Sequence, residues 1–364
     1  MTAGTTPEIL RAGVVGLGAG RAHMRGYVSA PGVRLAAIAG KEKDRLADAG
    51  AEFDVPRLYE DWQDLVADDT VDLVSVASPN HLHAPIAIAA LRAGKHVRCE
   101  KPLSVDSESA EAMVAAATTA DRVLEVAFNF RRRGDVRVLR QYVDSGALGS
   151  IYHAKSSWLR RSGIPGLGSW FTSTSMAGGG PLIDLGVHAL DMALFLMDEP
   201  RVVSVTAATY SELGRRGLGG SGGHRRFGSD ATGYEVEDLA TAFLRFDSGA
   251  SLRLEASWAA YGKAEEDIEL ELLGTDGGAH ILVSHYADSD TLRLFTDVAG
   301  RPAVVAPVTP PSWGHTAVVA DFVDVVRAGS WSAHSGMDGL RRTRIIDACY
   351  RSAREGREVL LPQS

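Results

Sequence analysis

Residues 16–20 read Gly16-Leu17-Gly18-Ala19-Gly20, directly after the apolar pair Val14-Val15 and before a helical stretch over residues 21–30. Glycines let the backbone turn tightly here and approach a pyrophosphate, whose charge then faces the free N–H groups of the helix N-terminus. The spacing Gly-x-Gly-x-Gly is one residue shorter than the usual pattern, and glycines alone are a weak sign, so a structural turn is the alternative. The flanking strand and helix favour a dinucleotide-binding turn whose candidate contacts are Gly16, Gly18, Ala19 and Gly20.

Strand-like and helix-like stretches alternate regularly on both sides of this turn. Apolar segments at residues 33–39, 71–77, 96–99 and 123–128 alternate with helical segments at residues 41–52, 84–93 and 105–119. Such alternation predicts a parallel sheet with helices on both faces. We therefore predict that residues 1–128 form an α/β Rossmann domain.

The pattern changes after residue 128. Apolar and polar residues alternate with period 2 at residues 151–158, 202–210, 240–246, 251–258 and 268–273, between helical segments at 137–143 and 338–355. This periodicity predicts a large, mostly antiparallel sheet with one open face. Residues 129–364 are thus predicted to form an α+β domain for substrate binding and oligomerisation, and the Gly/Ser/Arg-rich residues 211–233 a mobile surface loop.

Composition excludes several classes of partner. The 364 residues include 46 acidic and 38 basic side chains, for a net charge of −8, so nucleic acid and anionic membranes are not expected partners. Two cysteines, Cys99 and Cys349, do not make a disulfide framework and suit a reducing compartment. Residues 1–10 lack the pattern of a signal peptide, and no apolar run reaches the length of a membrane span. We expect a cytoplasmic protein.

The position that selects between nicotinamide cofactors carries an unusual residue. A carboxylate about 20 residues beyond the glycine turn ordinarily holds the adenosine ribose and repels a 2′-phosphate. Gly40 stands there, followed by Lys41, which is able to attract that phosphate, while Glu42 could still serve a ribose. The sequence therefore favours NADP slightly over NAD, with a solvated Lys41 as the alternative.

Three further stretches carry a family resemblance. Residues 78–83 read Ser-Pro-Asn-His-Leu-His, residues 100–102 read Glu-Lys-Pro after a short strand, and residues 178–191 read Gly-Gly-Gly-Pro-Leu-Ile-Asp-Leu-Gly-Val-His-Ala-Leu-Asp. With these motifs the chain resembles the Gfo/Idh/MocA family, named for glucose–fructose oxidoreductase and inositol dehydrogenase. The resemblance covers nearly the whole chain and departs from the family at the shortened glycine turn and at Gly40.

The resemblance implies an NAD(P)-dependent oxidoreductase that transfers a hydride between nicotinamide and a hydroxyl or keto carbon of a sugar, cyclitol or related polyol. It assigns His188 as proton acceptor, Asp184 as an orienting and substrate-binding carboxylate, and Lys101 to the reacting hydroxyl. The same motifs supply the remaining candidate cofactor contacts, which are Ser78, Asn80, His83, Glu100 and Lys101.

The spacing of Asp184 and His188 suits this chemistry. Oxidation of an alcohol needs a base with a pKa near neutrality, which histidine provides, and a cation near the oxygen as its negative charge develops. On a helix, residues four apart share a face, and Pro181 suits the first helical turn. Alternatively, Asp184 caps its helix and His188 is a core histidine. A metal site that adds Asp191 to this pair is possible but lacks an obvious further ligand, so we predict no metal.

Several other side chains are candidates for the substrate. Trp158, Trp170 and Phe171 offer flat apolar faces to a ring-shaped polyol, although aromatic core packing is the commoner explanation. Arg131 is a candidate substrate contact, and Arg160 and Arg161 either bind a polar group or are solvated. We expect His81 and His83 to shape the wall near nicotinamide.

Two other functions fit the same resemblance. One is a glycosidase that uses tightly held NAD without net turnover of the cofactor, and the other is a nucleotide-sensing regulator without catalysis. The regulator would lack Lys101, Asp184 and His188, which are all present here. The open sheet face and the resemblance both predict a homodimer or homotetramer.

Overall fold

The structure is a computed structural model that describes residues 9–166, 168–221, 233–263, 265–312 and 314–362. The N-terminal residues 1–8 and residues 222–232 of the predicted loop lie outside the described residues. The chain divides into two units, one formed by residues up to Asn129 with Gly314–Leu340 and the other by Phe130 to residue 312 with the chain from Arg341 onward. The sequence-based division at residue 128 did not include this return of the chain.

The first unit contains a six-stranded parallel sheet. Its strands are β1 (Leu10–Val15), β2 (Val33–Ala39), β3 (Arg57–Tyr59), β4 (Leu73–Val76), β5 (His96–Cys99) and β6 (Leu124–Val126). Its first helices are α1 (Gly20–Ser29), α2 (Lys43–Glu52), α3 (Trp62–Ala67), α4 (His83–Arg92) and α5 (Ser107–Ala120). The strand order β3-β2-β1-β4-β5-β6 confirms the predicted Rossmann domain. Between the parallel neighbours β1 and β4 the chain switches from building one side of the sheet to building the other, and folds of this kind bind ligands at that point.

The second unit is built on a nine-stranded sheet. Its elements are α6 (Gly134–Asp144), β7 (Ile151–Arg160), α7 (Thr174–Ala177), α8 (Val187–Leu196), β8 (Val202–Tyr210), β9 (Leu239–Phe246), β10 (Ser251–Ser257), β11 (Glu266–Gly274), β12 (Gly278–Ser284), β13 (Leu292–Val298) and β14 (Arg301–Val305). The order is β14-β13-β12-β11-β7-β10-β9-β8-β15, with β15 at Val359–Leu360. The pairing of β7 with β10 is parallel and the others are antiparallel, which confirms the mostly antiparallel sheet.

One face of this sheet is buried by helices. Ile268, Leu270 and Leu272 point to the buried face and belong to the same core as Leu190 and Leu194 of α8. Among the described residues, Thr174–Leu196 has the length and hydropathy of a membrane span, but 89% of its window is buried inside the protein, as in the core helix of a globular domain. On the central strands the other face carries mainly polar and charged side chains, such as Lys155, Arg253 and Glu271.

Two helices follow the sheet. The helix α9 (Gly314–Ala328) belongs to the first unit, where Val319 and Phe322 join the same core as Tyr27 of α1. A Cβ at Gly26 would lie 2.7 Å from Val319 Cβ, so glycine permits this close approach. The last helix, α10 (Met337–Glu355), confirms the predicted C-terminal helix.

The described part of the predicted surface loop differs from expectation. Leu213, Gly214 and Gly217 are buried, and Ile164 forms a β-bridge with Gly220. The prediction of a surface loop was wrong for these buried residues, because glycines there allow close packing, a possibility that low apolar content does not reveal.

Candidate functional site

The glycine turn connects the end of β1 to the start of α1. Gly16 has φ 108°, and a Cβ on it would lie 2.1 Å from the carbonyl oxygen of Ala77. Both facts require glycine. Ala19 precedes the helix, Gly20 is its first residue, and no acidic side chain lies in its first turn. The turn thus presents a helix N-terminus of the kind that binds a pyrophosphate.

The position that selects the cofactor lies at the end of β2. Gly40 follows Ala39, and a Cβ on it would lie 2.4 Å from Leu17 Cδ1, so there is no room for a larger side chain without a shift of Leu17. Lys41 forms an ion pair with Asp61, and its side chain is 72% exposed. Lys41 is therefore not a solitary positive charge.

His83 links two of the predicted cofactor loops. The loop after β4 contains Ser78 and Asn80, and Asn80 begins a short 3₁₀ turn. The two ring nitrogens of His83 lie 2.9 Å from the carbonyl oxygen of Ser78 and 2.8 Å from that of Pro102. Only an imidazolium donates to both carbonyls, whereas burial lowers the pKa of His83 and favours the neutral ring. In either protonation state the ring ties the loop after β4 to the loop after β5.

Glu100 is the centre of a buried polar network just before Lys101. The imidazoles of His23 and His315 reach its Oε1 at 2.8 and 3.2 Å, and the backbone N–H of Lys101 donates to its Oε2 at 3.2 Å. Burial would raise the pKa of Glu100, but the hydrogen bonds from His23 and His315 outweigh it and hold the pKa well below its usual range. The carboxylate is therefore ionised and fixes the backbone at Lys101.

A chain of hydrogen bonds sets the tautomer of His23. Because the ring donates through Nε2 to Glu100, its Nδ1 accepts a hydrogen bond from Ser75 Oγ at 3.0 Å. The Ser75 hydroxyl accepts in turn from Tyr27 at 2.8 Å. Burial lowers the pKa of His23, which keeps the ring neutral. Sequence reasoning missed this network, whose only local signal is a histidine in the helix after the glycine turn.

Two groups of side chains contain residue types that can bind a metal ion. Among the described residues, His23, Glu100 and His315 have ligand atoms within 4.8 Å of one another, and these atoms are joined by the hydrogen bonds above. The described residues do not bring Asp184, His188 and Asp191 into such a group. Asp191 instead accepts hydrogen bonds from Arg131 and Arg342.

In the second unit, Asp184 and His188 lie on one continuous helical segment with a change of winding. Pro181 precedes a π-helical turn over Leu182–Gly186, which contains Asp184, and α8 then begins one residue before His188. The predicted helix is present, but the chain is wound more widely at Asp184 than in a regular α-helix. Single π-helical turns occur frequently at functional sites.

Trp258 fixes the carboxylate of Asp184. The indole Nε1–H of Trp258, just after β10, donates to Asp184 Oδ2 at 2.9 Å. Trp258 is itself fully buried, so it holds this carboxylate rigidly. This pair leaves no local pattern in the sequence, because the two residues are 74 positions apart.

Aromatic rings surround His188. Its ring centroid lies 4.9 Å from that of Phe130 and 5.6 Å from that of Trp158. Trp170 and Phe171, the other predicted aromatic contacts, stack on each other at 3.8 Å, and Phe171 packs edge-on against Trp258. The structure therefore brings Trp158 to the candidate base and connects Trp170, through Phe171, to the partner of Asp184.

Arg160 belongs to a polar cluster beside Trp158. Its guanidinium lies over the Trp158 ring at 5.3 Å, donates to Glu266 at 2.7 Å and donates to the Tyr286 hydroxyl at 2.7 Å. Glu266 is the first residue of β11. Burial would raise the pKa of Glu266, but hydrogen bonds from Tyr286 and Arg160 lower it. The carboxylate therefore neutralises the charge of Arg160, and neither Glu266 nor Tyr286 was found from the sequence.

Arg131 has an ion-pair partner in its own unit. Its guanidinium donates to Asp191 at 2.6 and 2.9 Å, and the fully buried Arg342 joins Asp191 to Glu199. A substrate contact by Arg131 stays a prediction. Arg161 forms an ion pair with Glu265 at 3.5 Å.

Comparison with known proteins identifies the class. The oxidoreductase family with an NAD-binding Rossmann fold matches residues 10–128, and the GFO/IDH/MocA C-terminal domain matches residues 136–280. The chain belongs to the Gfo/Idh/MocA family of NAD-binding oxidoreductases, which confirms the resemblance and the enzyme class expected from the sequence.

Individual relatives align over almost their whole length. D-glucoside 3-dehydrogenase of Escherichia coli is 30% identical, with 99% of this chain and 100% of the relative covered. Levoglucosan dehydrogenase of Pseudarthrobacter phenanthrenivorans is 31% identical, with 97% and 98% covered. A solved levoglucosan dehydrogenase in complex with NADH and levoglucosan has a TM-score of 0.85 at 29% identity, covering 97% of this chain and 100% of that one.

Proposed function

We propose that this chain is a dehydrogenase that oxidises a secondary hydroxyl of a neutral sugar or related cyclic polyol, with a nicotinamide cofactor as hydride acceptor. The observation that carries the proposal is the pair Asp184 and His188, with the carboxylate fixed by Trp258 and the imidazole set among Phe130 and Trp158. The names of the relatives, D-glucoside 3-dehydrogenase and levoglucosan dehydrogenase, support a sugar substrate.

The first unit fits a bound dinucleotide. The helix N-terminus at Ala19 and Gly20 would receive the pyrophosphate, and Gly18 leaves space, since the nearest atom to a Cβ there is Arg45 Nη2 at 4.0 Å. The residues at the carboxyl ends of β4 and β5 (Ser78, Asn80, His83, Glu100 and Lys101) would line the remainder. When bound, the oxidised nicotinamide accepts the hydride from the hydroxyl-bearing carbon.

Within the protein, proton removal is the step that needs a base. We assign His188 to accept the hydroxyl proton, because its aromatic surroundings shield the ring from water and imidazole has a suitable pKa. The family resemblance assigns Lys101 to the reacting hydroxyl, where a cation would stabilise the negative charge that develops on an oxygen as its proton leaves. Asp184, held by Trp258, accepts hydrogen bonds from a substrate hydroxyl and orients the ring. The carbon becomes a ketone, and its former hydroxyl proton is on His188.

The polar cluster beside Trp158 favours a neutral substrate. Arg160 already has Glu266 as a charged partner at 2.7 Å, so a sugar carboxylate or phosphate would have to displace that partner or face its negative charge. A neutral ring instead places its apolar face on Trp158 and its hydroxyls near Tyr286 and Glu266. We therefore expect sugar acids to be poor substrates.

Cofactor choice is the finer part of the proposal. NAD(H) binding agrees with the family, and the NADH complex of the related dehydrogenase supports it. The preference for NADP(H) inferred from Gly40 and Lys41 stays a prediction. Its expected size is small, because a 2′-phosphate would replace Asp61 as the partner of Lys41 rather than satisfy a solitary charge.

Self-association is a further part of the proposal. The open face of the nine-stranded sheet carries partly exposed apolar side chains, among them Phe243 (37%), Leu282 (40%) and Phe295 (42%). Phe243 lies on β9, Leu282 on β12 and Phe295 on the neighbouring β13. Apolar side chains exposed on a sheet face favour burial against a second copy of the chain. Sedimentation should therefore show a dimer or tetramer, and Leu282→Glu should weaken it. A lone 38.7 kDa species at micromolar concentration would contradict the proposal.

A substrate panel tests the activity. Neutral pyranosides, anhydrosugars, cyclitols and sugar acids are each incubated with oxidised NAD or NADP, and reduced nicotinamide is measured by its absorbance. Accumulation with a neutral sugar supports the proposal. Release of a sugar fragment without net reduction indicates the glycosidase, while nucleotide binding without reaction of any member of the panel indicates the regulator. Either of these outcomes refutes the proposed function.

A further inference from the structure

A buried carboxylate lies against the start of the segment that carries Asp184 and His188. Glu237, two residues before β9, accepts hydrogen bonds from the backbone N–H of Gly180 at 2.9 Å and from that of Leu182 at 3.0 Å. The hydroxyl of Tyr350, in α10, donates to the same carboxylate at 2.9 Å. All three donors are neutral groups, so this contact is not an ion pair.

The two backbone donors lie on either side of Pro181, where the helical segment begins. The first N–H groups of a helix have no partner within the helix, and when buried they need one from elsewhere. Glu237 supplies it, and a negative charge at this end also interacts favourably with the helix dipole. Sequence reasoning treated Asp184 as the possible cap, but the structure gives the capping role to Glu237.

The packing around Glu237 explains the glycines before Pro181. A Cβ on Gly180 would lie 2.1 Å from the carbonyl oxygen of Glu237, and one on Gly179 would lie 2.0 Å from the hydroxyl oxygen of Tyr350. The chain at this point is therefore pressed against both residues. The start of the segment has a single well-defined position set by Glu237 and Tyr350.

We propose that Glu237 is a positioning residue for the reaction: its carboxylate fixes the first turn of the Pro181–Leu196 segment and thereby the places of Asp184 and His188. This inference rests on the proposed dehydrogenase function for its catalytic consequence. A carboxylate is suited to the task because both of its oxygens accept hydrogen bonds, whereas an amide in the same place turns an NH₂ group toward one of the donors. Burial raises the pKa of Glu237, so an ionised carboxylate is costly here and needs its donors.

The next residue provides a matched control. Asp238 is also buried, and its Oδ2 accepts hydrogen bonds from the backbone N–H groups of Leu213 at 2.7 Å and Gly214 at 2.9 Å. Those two residues lie in the connection after β8, which carries none of the proposed catalytic side chains. Glu237→Gln and Asp238→Asn therefore make the same chemical change at adjacent buried positions, but only the first affects the segment with Asp184 and His188.

The experiment compares Glu237→Gln, Asp238→Asn and Tyr350→Phe with wild type. We expect Glu237→Gln to lower kcat about 10- to 100-fold, since a small displacement of reacting groups has that effect, and to leave the NADH Kd within about twofold. Asp238→Asn should keep kcat within about threefold. Tyr350→Phe, which removes one of the three donors, should lower kcat by a smaller factor than Glu237→Gln.

Two readouts do not depend on turnover. Hydrogen exchange at residues 180–188 should accelerate in Glu237→Gln and not in Asp238→Asn, and the NMR titration of the His188 ring should shift only in the first. Unchanged exchange, or an unchanged kcat in a folded Glu237→Gln protein, overturns the inference. If Glu237→Gln does not fold, Tyr350→Phe decides it by the same two readouts. If wild type oxidises no sugar, the proposed function fails, whereas exchange and the His188 titration still decide whether Glu237 holds the segment.

Discussion

The candidate cofactor residues of the first unit and the candidate substrate residues of the second are held in different ways. In the first unit they lie in short loops at the carboxyl ends of parallel strands, tied together by His83 and by the network around Glu100. In the second unit the candidate catalytic residues Asp184 and His188 lie on one helical segment, and the carboxylate of Asp184 is fixed by Trp258, which is distant in the sequence. A loop of consecutive residues leaves a motif in the sequence, whereas partners that are brought together only by folding do not.

The largest effect is expected from variants that remove a proposed reacting group, one in each unit. Lys101→Ala and His188→Ala should each lower turnover about 100-fold or more, because each removes a proton-accepting or charge-stabilising group. Steady-state kinetics on the best sugar of the panel measure this, with thermal unfolding to confirm that the variants fold. His334→Ala, a half-exposed histidine of the first unit, should leave turnover unchanged. Near wild-type turnover in either variant would disprove the role assigned to that residue.

Two glycine variants separate folding from cofactor binding in the first unit. Gly16→Ala forces a side chain onto φ 108° and against Ala77, and should cost about 1–3 kcal/mol of unfolding free energy. Gly18→Ala meets only Arg45 Nη2 at 4.0 Å, so it should fold normally but weaken NAD binding about tenfold where the backbone approaches the pyrophosphate. Denaturation and cofactor titration measure the two effects. Normal NAD affinity in Gly18→Ala would show that the turn does not contact the cofactor closely.

The same contrast explains how far sequence reasoning reached. The glycine turn, the Glu100-Lys101-Pro102 loop and the Asp184/His188 pair were found because each is local. Glu237 and Trp258 were missed because they contact the Pro181–Leu196 segment from 55 and 74 residues away. The strand β3 has only three residues, and β14 contains Pro302, which an edge strand tolerates but which weakens a strand prediction. The return of α9 to the first unit depends on which core it packs against, and its amphipathic pattern does not specify that core.

Trp258→Phe tests whether the second unit depends on a distant partner. The variant keeps an aromatic ring in the core but removes the N–H that fixes Asp184 Oδ2, so kcat should fall about tenfold. Trp331→Phe is the control, since it removes an indole N–H that donates to a backbone carbonyl in the first unit. Steady-state kinetics compare the two. Equal kcat in both variants would mean that Asp184 does not need Trp258.

The pH dependence of stability tests the network of the first unit. The pKa of Glu100 is lowered below its ordinary value of 4.5, so the ionised carboxylate contributes stability that is present above that pH and lost as pH falls through the lowered pKa. Glu100→Gln should therefore cost about 1.5–3 kcal/mol near neutral pH, and its difference from wild type should narrow on acidification. Denaturant unfolding at several pH values measures this. Glu60 is an exposed surface carboxylate, so the unfolding free energy of Glu60→Gln should differ little from that of wild type. If the difference between Glu100→Gln and wild type were the same at every pH, the ionised state assigned to Glu100 would be contradicted.

The smallest expected effect concerns cofactor choice at the end of β2. A charge-assisted contact between Lys41 and a 2′-phosphate contributes up to about 3 kcal/mol, but exposure and the existing ion pair with Asp61 reduce the expected preference for NADP to about tenfold or less. Titration of both oxidised cofactors into the protein at fixed ionic strength measures the preference. Lys41→Ala should abolish the preference for NADP. Lys43→Ala is the control: it removes a similarly exposed lysine, two residues after Lys41 and paired with Glu60, and should preserve the preference. Equal or tighter binding of NAD by wild type would refute the preference, and a preference that survives in Lys41→Ala would remove Lys41 as its cause.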